Sequence, residues 1–285
     1  MGDISVAFVK QFGSNLDFLV QQKGSMLRGA VRLETVTGEE AYFDQLASTA
    51  AQKKTTRNSD TPLIKSDHKR RRVSMYDYEW ADLIDKEDKL KMLIDPQSDY
   101  ATNAAWALGR SIDDAIIECF ANTAYAGKAG GTSQNFPAAN IVSAGATRLT
   151  LQKLLDAKLI LDGADVDPAE ERYIAIKATQ LSDLLNISEI KSADYNTVRA
   201  LVRGEIDTYL GFKFIICNRL ATNSSGHRIC ALWAKSGLLL ALSKEINTQI
   251  TQRADKSYAT QVYAAMSIGA TRMEEAKCVQ ILCTE

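Results

Sequence analysis

The sequence predicts an α+β fold, with helices and strands segregated along the chain instead of alternating regularly. Three observations favour this class. Residues 95–121 have the pattern of one long amphipathic helix. A highly charged, extended segment precedes that helix. After it come three shorter helical patterns and then mainly strand-like segments toward the C-terminus.

The helix predicted over residues 95–121 carries both a start signal and an apolar stripe. Asp95 can cap the first turn, and Pro96 follows at the first helical position, where a missing N–H costs nothing. At 1.5 Å per residue such a helix spans roughly 40 Å. The apolar stripe comprises Ala101, Ala105, Leu108, Ile112, Ala115, Ile116 and Cys119. The opposite, polar face is predicted to carry Arg110, Asp113, Asp114 and Glu118.

Residues 36–84 predict a long two-stranded hairpin. Extended patterns over residues 30–48 and 68–80 flank the polar stretch 49–63, which has the composition of a loop tip. An isolated hairpin is at best marginally stable in water. We therefore expect this one to pack on its own domain or on a neighbouring subunit.

A cationic run, Lys69–Arg72, lies in the second strand of this hairpin and is followed at once by an acidic stretch. Contact with a polyanion, a merely solvated face and charge pairing between subunits are the three interpretations. The adjacent acidic residues favour pairing between subunits, because complementary patches set register and orientation. The predicted interface residues are Lys65, His68, Lys69, Arg70, Arg71, Arg72, Asp77, Glu79, Trp80 and Asp82.

Four further helices, the shortest of them over 179–186, and several strands, including one through Phe212–Cys217, are predicted outside these regions. Residues 4–23 have an amphipathic helical pattern, and another helix is expected to begin near residue 195. A third is predicted over 149–163, with Thr150 as its cap. Residues 171–178 read as a strand. The apolar face predicted for helix 149–163 comprises Leu151, Leu154, Leu155 and Leu159.

Composition and motifs argue against an enzyme. The 285 residues are 46% apolar with a net charge of −1, so the chain as a whole is not a polyanion binder. No apolar run approaches the ~20 residues that span a membrane, and we expect no membrane partner. The five cysteines lack metal-ligand spacing and are expected to be buried thiols. No metal site, cofactor site or catalytic motif is predicted, although an enzyme with an unrecognised site stays an alternative.

Asp113 and Asp114 do not form a catalytic or metal-binding pair, because neighbouring helix positions point ~100° apart. They are expected to bond to nearby loops or to pair with Arg110. The sequence Gly127-Lys128 resembles a phosphate loop only superficially, since Thr123 stands where that motif needs glycine.

The ordered set of segments resembles the major capsid proteins of tailed double-stranded-DNA bacteriophages, which have the Hong Kong 97-type fold. The resemblance covers nearly the whole chain. The segments that carry it are RRRVSMYDYEWADLIDKEDKLKMLIDP (70–96), GRSIDDAII (109–117), YLGFKFIICNRL (209–220) and DKSYATQVYAAMSIGATRMEE (255–275).

The resemblance implies a domain organisation. Residues 1–35 would form an N-terminal arm, and residues 36–84 the E-loop, a hairpin that overlaps an adjacent subunit. Residues 85–170 would form the peripheral domain, with 95–121 as its spine helix. Residues 171–250 would form the axial domain, and residues 251–285 would return to the peripheral domain.

The resemblance also implies a function and partners. The chain would be a structural virion protein that assembles with itself, in the bacterial cytoplasm, into hexamers and pentamers of an icosahedral capsid. The capsid would enclose double-stranded DNA and contact it without sequence specificity. A separate scaffolding protein, a portal protein at one vertex and a cement or decoration protein are the further partners implied. An encapsulin-like nanocompartment shell is the alternative.

Overall fold

The computed structural model describes residues 21–57, 60–61, 63–84, 97–186 and 208–285. Three predictions fall outside this part of the chain: most of helix 4–23, the Asp95–Pro96 start signal, and the helix expected from about residue 195. Within it, long and short helices are segregated from the strands that dominate the C-terminal region. The predicted α+β class is confirmed.

The described helices are α1 (Gln97–Ala121), α2 (Leu151–Gly163) and α3 (Ala178–Asn186). The described strands are β1 (Arg32–Thr35), β2 (Glu40–Leu46), β3 (His68–Ser74), β4 (Tyr76–Ile84), β5 (Ala124–Ala126), β6 (Thr132–Gln134), β7 (Ile141–Val142), β8 (Arg172–Ile176), β9 (Thr208–Tyr209), β10 (Phe212–Ile216), β11 (Arg228–Ala234), β12 (Leu238–Arg253), β13 (Ala259–Arg272) and β14 (Cys278–Cys283).

These strands form one six-stranded and two four-stranded sheets. The six-stranded sheet has the order β7-β14-β11-β8-β10-β9. The four-stranded sheets have the orders β1-β12-β13-β4 and β2-β3-β5-β6. The chain divides into two compact units. The smaller contains residues 21–25, Asp77–Ser111 and Lys244–Met266, and the larger contains Met26–Tyr76, Ile112–Ser243 and Ser267–Glu285.

The predicted hairpin is present, but it is shorter than residues 36–84. Strands β2 and β3 pair antiparallel, from Glu40 opposite Ser74 to Leu46 opposite His68. The strand expected over 68–80 is interrupted at Met75, and its continuation β4 joins the sheet of β12 and β13 instead. The hairpin is also not isolated, because β3 pairs with β5 on its other side.

The core of the larger unit lies between the six-stranded sheet and α2. All five residues of β8 are buried, as expected for a central strand covered on both faces. Leu154 and Leu161 of α2 pack in the same cluster as Ile174 and Ile281 of the sheet. Each such side chain contributes about 1.5–3 kcal/mol by leaving water.

Helix α2 begins as predicted, but its apolar face is different. The Thr150 side chain accepts a hydrogen bond from the Lys153 backbone N–H and caps the first turn. Leu155 and Leu159, predicted to be core residues, are 40% and 72% exposed. Lys153 is buried in their place. Its Nζ donates to three backbone carbonyl groups, those of Ala144, Thr147 and Leu282, at 2.8–2.9 Å. Burial lowers the pKa of this amine.

Helix α1 matches the long helix predicted over 95–121. Leu108, Ile112 and Ile116 of the predicted stripe are buried. Ala104 and Phe120, which were not assigned to the stripe, are buried with them. The predicted members Ala101, Ala105, Ala115 and Cys119 are only half-buried. The buried stripe is therefore rotated slightly from the predicted one.

Gly109 allows the backbone at residues 24 and 25 to pass directly over α1. A Cβ atom at position 109 would lie 2.6 Å from the Gly24 Cα and 2.9 Å from the Ser25 nitrogen. Both neighbours are backbone atoms, which cannot move aside as the end of a side chain can. Glycine is thus required here by close approach, although it is an unfavourable residue inside a helix.

Arg272, at the end of β13, is a fully buried guanidinium that closes the C-terminal end of α1. Its Nη1 donates to the carbonyl groups of Phe120 and Asn122, each at 2.9 Å, and its Nη2 donates to that of Gln134 at 3.0 Å. The carboxylate of Glu275 lies 3.6 Å from Nε and supplies the counter-charge. The last carbonyl groups of a helix lack intrahelical partners, so a buried cation at this position is doubly favourable.

Replacing Gly109 with alanine should destabilise the unassembled subunit by about 1–3 kcal/mol, because overpacking against backbone outweighs the better helix propensity of alanine. The matched control is Gly163→Ala in α2, where a Cβ would meet nothing within 4 Å. That control should be neutral or slightly stabilising. Denaturant unfolding of both variants measures the difference, and equal midpoints would contradict the close-approach explanation.

Replacing Arg272 with methionine should lower the free energy of unfolding by about 3–5 kcal/mol, since three buried or partly buried carbonyl groups lose their donor and Glu275 keeps only Arg71 as its cation. Arg272→Lys keeps the positive charge but not the planar set of guanidinium N–H donors. It should therefore recover only part of the lost unfolding free energy. The control is Arg253→Met at the end of β12, where the arginine pairs with Asp255 at the surface. Chemical denaturation should show little change for that control, and similar losses at both arginines would refute the role of Arg272.

Candidate assembly surfaces

The basic strand β3 has two of its charges balanced within its own sheet. The Arg70 Nε donates to the Asp44 carboxylate on the paired strand at 2.6 Å. The Arg72 guanidinium donates to Glu40 at 3.1 Å. Hydrogen bonding to Arg70 lowers the pKa of the Asp44 carboxyl. The hairpin therefore supplies its own counter-ions for these two arginines, and exposed pairs of this kind add little stability.

Arg71 corrects the predicted interface. It is only 6% exposed, and its guanidinium points into its own chain. Its Nε donates to the Met273 carbonyl at 2.9 Å, and its Nη2 pairs with Glu275. Alternation along a strand explains the difference, because Arg71 faces the opposite side of the sheet from Arg70 and Arg72. Arg71 anchors the hairpin and is unavailable to a neighbouring subunit.

The other predicted hairpin residues are more accessible. Lys65, His68 and Lys69 are exposed, and Trp80 is half-buried. On β4 the acidic residues Asp77, Glu79 and Asp82 are all exposed. The Glu79 carboxylate accepts a hydrogen bond from the Tyr263 hydroxyl at 2.9 Å, and this bond raises the pKa of the tyrosine.

A groove of about 640 Å³ lies beside β3, at the turn between β5 and β6; we call it the basic groove. Two of its cations, Lys69 and Lys128, are exposed and form no ion pair among the residues that the structure describes. The lining residues are Asp44, His68, Lys69, Arg70, Arg71, Ala126, Gly127, Lys128, Thr132, Gln134 and Glu275.

The predicted polar face of α1 is only partly a surface. Arg110 is half-buried and donates to the Gln21 side chain and to the Gln22 carbonyl, both at 3.0 Å. It therefore holds the N-terminal segment and does not pair with Asp113 or Asp114. Glu118 is exposed, as predicted.

Asp113 was assigned to this polar face, and that assignment is wrong. Asp113 is fully buried, and its carboxylate accepts the backbone N–H groups of Met26 and Leu27 at 3.0–3.1 Å. Asp114 pairs with Arg219 instead, with 2.6 Å between the Arg219 Nε and the carboxylate oxygen. The expectation that these carboxylates bond to loops is confirmed, and the alternative of pairing with Arg110 is excluded by these contacts.

The buried pair Arg272 and Glu275 was missed in the sequence. A signal for it existed: the arginine ends a strand whose preceding residues, 264–271, carry no charge, and a glutamate follows three positions later. A charge at the end of such an apolar run needs a buried partner.

Among the described residues, no group of three or more histidine, cysteine or acidic side chains could hold a metal ion. No described helix is both long and apolar enough to cross a membrane.

Comparison with known proteins identifies both family and fold. A family model of phage capsid proteins matches residues 4–285. The capsid of cyanophage P-SCSP1u has a similar structure, with a TM-score of 0.71 and 15% identity, over 100% of this chain and 96% of that one. The capsid of cyanophage Pam1 has a TM-score of 0.71 and 14% sequence identity to this chain, over 99% of each chain.

A structure from Mycobacterium phage Che8 is equally similar, with a TM-score of 0.71 and 14% identity, over 96% of this chain and 97% of that one. No curated protein matches the sequence. At these identities the structures establish the fold, which is the Hong Kong 97-type fold expected from the sequence. The family match extends over almost every residue, and so the chain belongs to the phage capsid proteins, as a structural protein of the virion capsid.

Proposed function

We propose that this chain is the shell subunit that assembles into the hexamers and pentamers of an icosahedral capsid enclosing double-stranded DNA. The observation that carries the proposal is the match to phage capsid proteins over residues 4–285, together with the full-length agreement in fold. A closed shell requires each subunit to overlap several neighbours, because many individually weak contacts then add together.

The proposed domain assignment follows the same fold. Residues 1–35 form the N-terminal arm, 36–84 the E-loop, 85–170 and 251–285 the peripheral domain, and 171–250 the axial domain. Helix α1 is the spine of the peripheral domain. Assembly takes place in the host cytoplasm. Scaffolding, portal and decoration proteins are the protein partners. Contact with the packaged DNA is non-specific and salt-sensitive.

Exposed apolar side chains on the hairpin and its connecting segment support a docking role. Leu46 at the end of β2 is 64% exposed, and Leu63 and Ile64 ahead of β3 are 92% and 44% exposed. These three apolar side chains have surface left to bury, and contact with a neighbouring subunit would cover it. The interface that we propose retains Lys65, His68, Lys69, Asp77, Glu79, Trp80 and Asp82, with Arg70 and Arg72 as partly exposed members, and omits Arg71.

The proposal is tested by expressing the chain in bacteria, alone and together with a scaffolding protein. Sedimentation and negative-stain microscopy should show closed particles with hexameric and pentameric capsomers. Nuclease-protected DNA in particles from infected cells would support a virion shell, whereas a protein cargo would support a nanocompartment. A subunit that stays monomeric under every condition would refute the proposal.

The double variant Leu46→Ser with Leu63→Ser should reduce particle yield at least about tenfold, since losing ~1.4 kcal/mol at a contact changes its equilibrium constant tenfold. The unfolding free energy of the unassembled subunit should stay within about 0.5 kcal/mol of wild type, because both side chains are at the surface. Leu161→Ser, at a fully buried position of α2, is the contrast and should destabilise the subunit itself. Normal assembly of the double variant would show that this end of the hairpin does not contribute to the interface.

A further inference from the structure

The basic groove has more positive charge than its own acids neutralise. Arg70 pairs with Asp44, and Arg71 pairs with Glu275, so both acids that line the groove are already engaged. Lys69 and Lys128 have no such partner among the described residues. These two lysines are the available cations of the groove.

An unsatisfied donor lies in the wall of the same groove. Arg71 is more than nine-tenths buried, yet its Nη1 has no hydrogen-bond partner. A buried guanidinium nitrogen without a partner costs free energy unless something else satisfies it. Arg71 stays within its own chain, and the carboxylate of Glu275 that pairs with it also has one buried oxygen without a hydrogen-bond partner. The excess positive charge of Lys69 and Lys128 is what suits a carboxylate, which accepts hydrogen bonds at both oxygens.

Strand β4 has the complementary chemistry. It lies at the edge of the four-stranded sheet β1-β12-β13-β4, so one side of its backbone has no neighbouring strand in that sheet. Asp77, Glu79 and Asp82 are exposed along it. No ion pair within the described part of the chain joins these carboxylates to a cation. An acidic edge strand also resists unwanted strand pairing, which is the simpler role for its charges.

We propose that the basic groove of one subunit binds the acidic strand β4 of a second copy of this chain, with Lys69 and Lys128 facing Asp77 and Glu79, which share one face of the strand. This inference rests on the proposed shell function. A second copy fits the groove better than a nucleic acid does, because the chain itself presents exposed carboxylates on an edge strand, and because its net charge of −1 does not make it a polyanion binder. Complementary charges at such a contact fix the register between subunits.

Reciprocal charge reversal tests the pairing. Lys69→Glu with Lys128→Glu should reduce particle yield at least about tenfold, as should Asp77→Lys with Glu79→Lys, because each places like charges opposite one another. Combining all four substitutions exchanges the signs of the two surfaces, so that an acidic groove faces a basic strand and the attraction is restored. The particle yield should then return to within about threefold of wild type. Circular dichroism and denaturant unfolding of unassembled subunits check that each variant folds, as expected for exposed positions.

The control keeps the net charge but not the complementarity. Lys69→Glu and Lys128→Glu are combined with Asp156→Lys on α2 and Glu118→Lys in the last turn of α1, and this variant should stay defective. If the four-residue swap remains defective while wild type forms particles, the pairing is overturned and the shell function stands. Normal assembly of either two-residue reversal, or loss of packaged DNA without loss of assembly, also overturns it. Failure of wild type to assemble refutes the shell function itself.

Discussion

The buried guanidinium of Arg272 is the constraint on which the larger unit depends. It binds the carbonyl groups at the end of α1, the carbonyl of Gln134 on β6 and the carboxylate of Glu275. Arg71 reaches the same carboxylate from β3. The end of α1, strands β3 and β6 of one sheet and the end of β13 are therefore joined by charge-assisted hydrogen bonds and by the ion pair between Arg272 and Glu275. Losing such contacts from a buried guanidinium is costly.

This anchoring explains how the hairpin can be both rigid at its base and available at its surface. Alternation along β3 sends Arg71 inward to the buried cluster and leaves Arg70 and Arg72 on the outer face, paired with acids of β2. Within the part of the chain that the structure describes, Lys69 and Lys128 have no ion-pair partner, and Leu63 ahead of β3 is exposed. Arg71 thus stabilises the fold, whereas Lys69 and Lys128 are accessible to another subunit.

Local patterns were sufficient to predict α1, the Thr150 cap of α2, the paired strands β2 and β3 and the overall class, because those features depend on neighbouring residues. The errors share one cause. The sequence pattern predicts that Asp113 is exposed. In the fold its carboxylate is buried because it accepts the backbone N–H groups of Met26 and Leu27, some 87 positions away. Leu155 and Leu159 were wrongly assigned to the core face of α2. Lys153 is buried instead, and its amine donates to the carbonyl of Leu282, 129 positions away, and to two carbonyl groups nearer in sequence. Partners distant in sequence are invisible to periodicity.

The passage of residues 24 and 25 over Gly109 has a consequence for the timing of folding during synthesis. The N-terminal segment leaves the ribosome long before the helix that receives it, because Met26 and its partner Asp113 are 87 positions apart. At 5–20 residues per second, the wait is roughly 4–17 s. During that interval residues 24–27 have no helix to bind. The N-terminal segment is thus the first part of this region to be synthesised and among the last to be fixed in place.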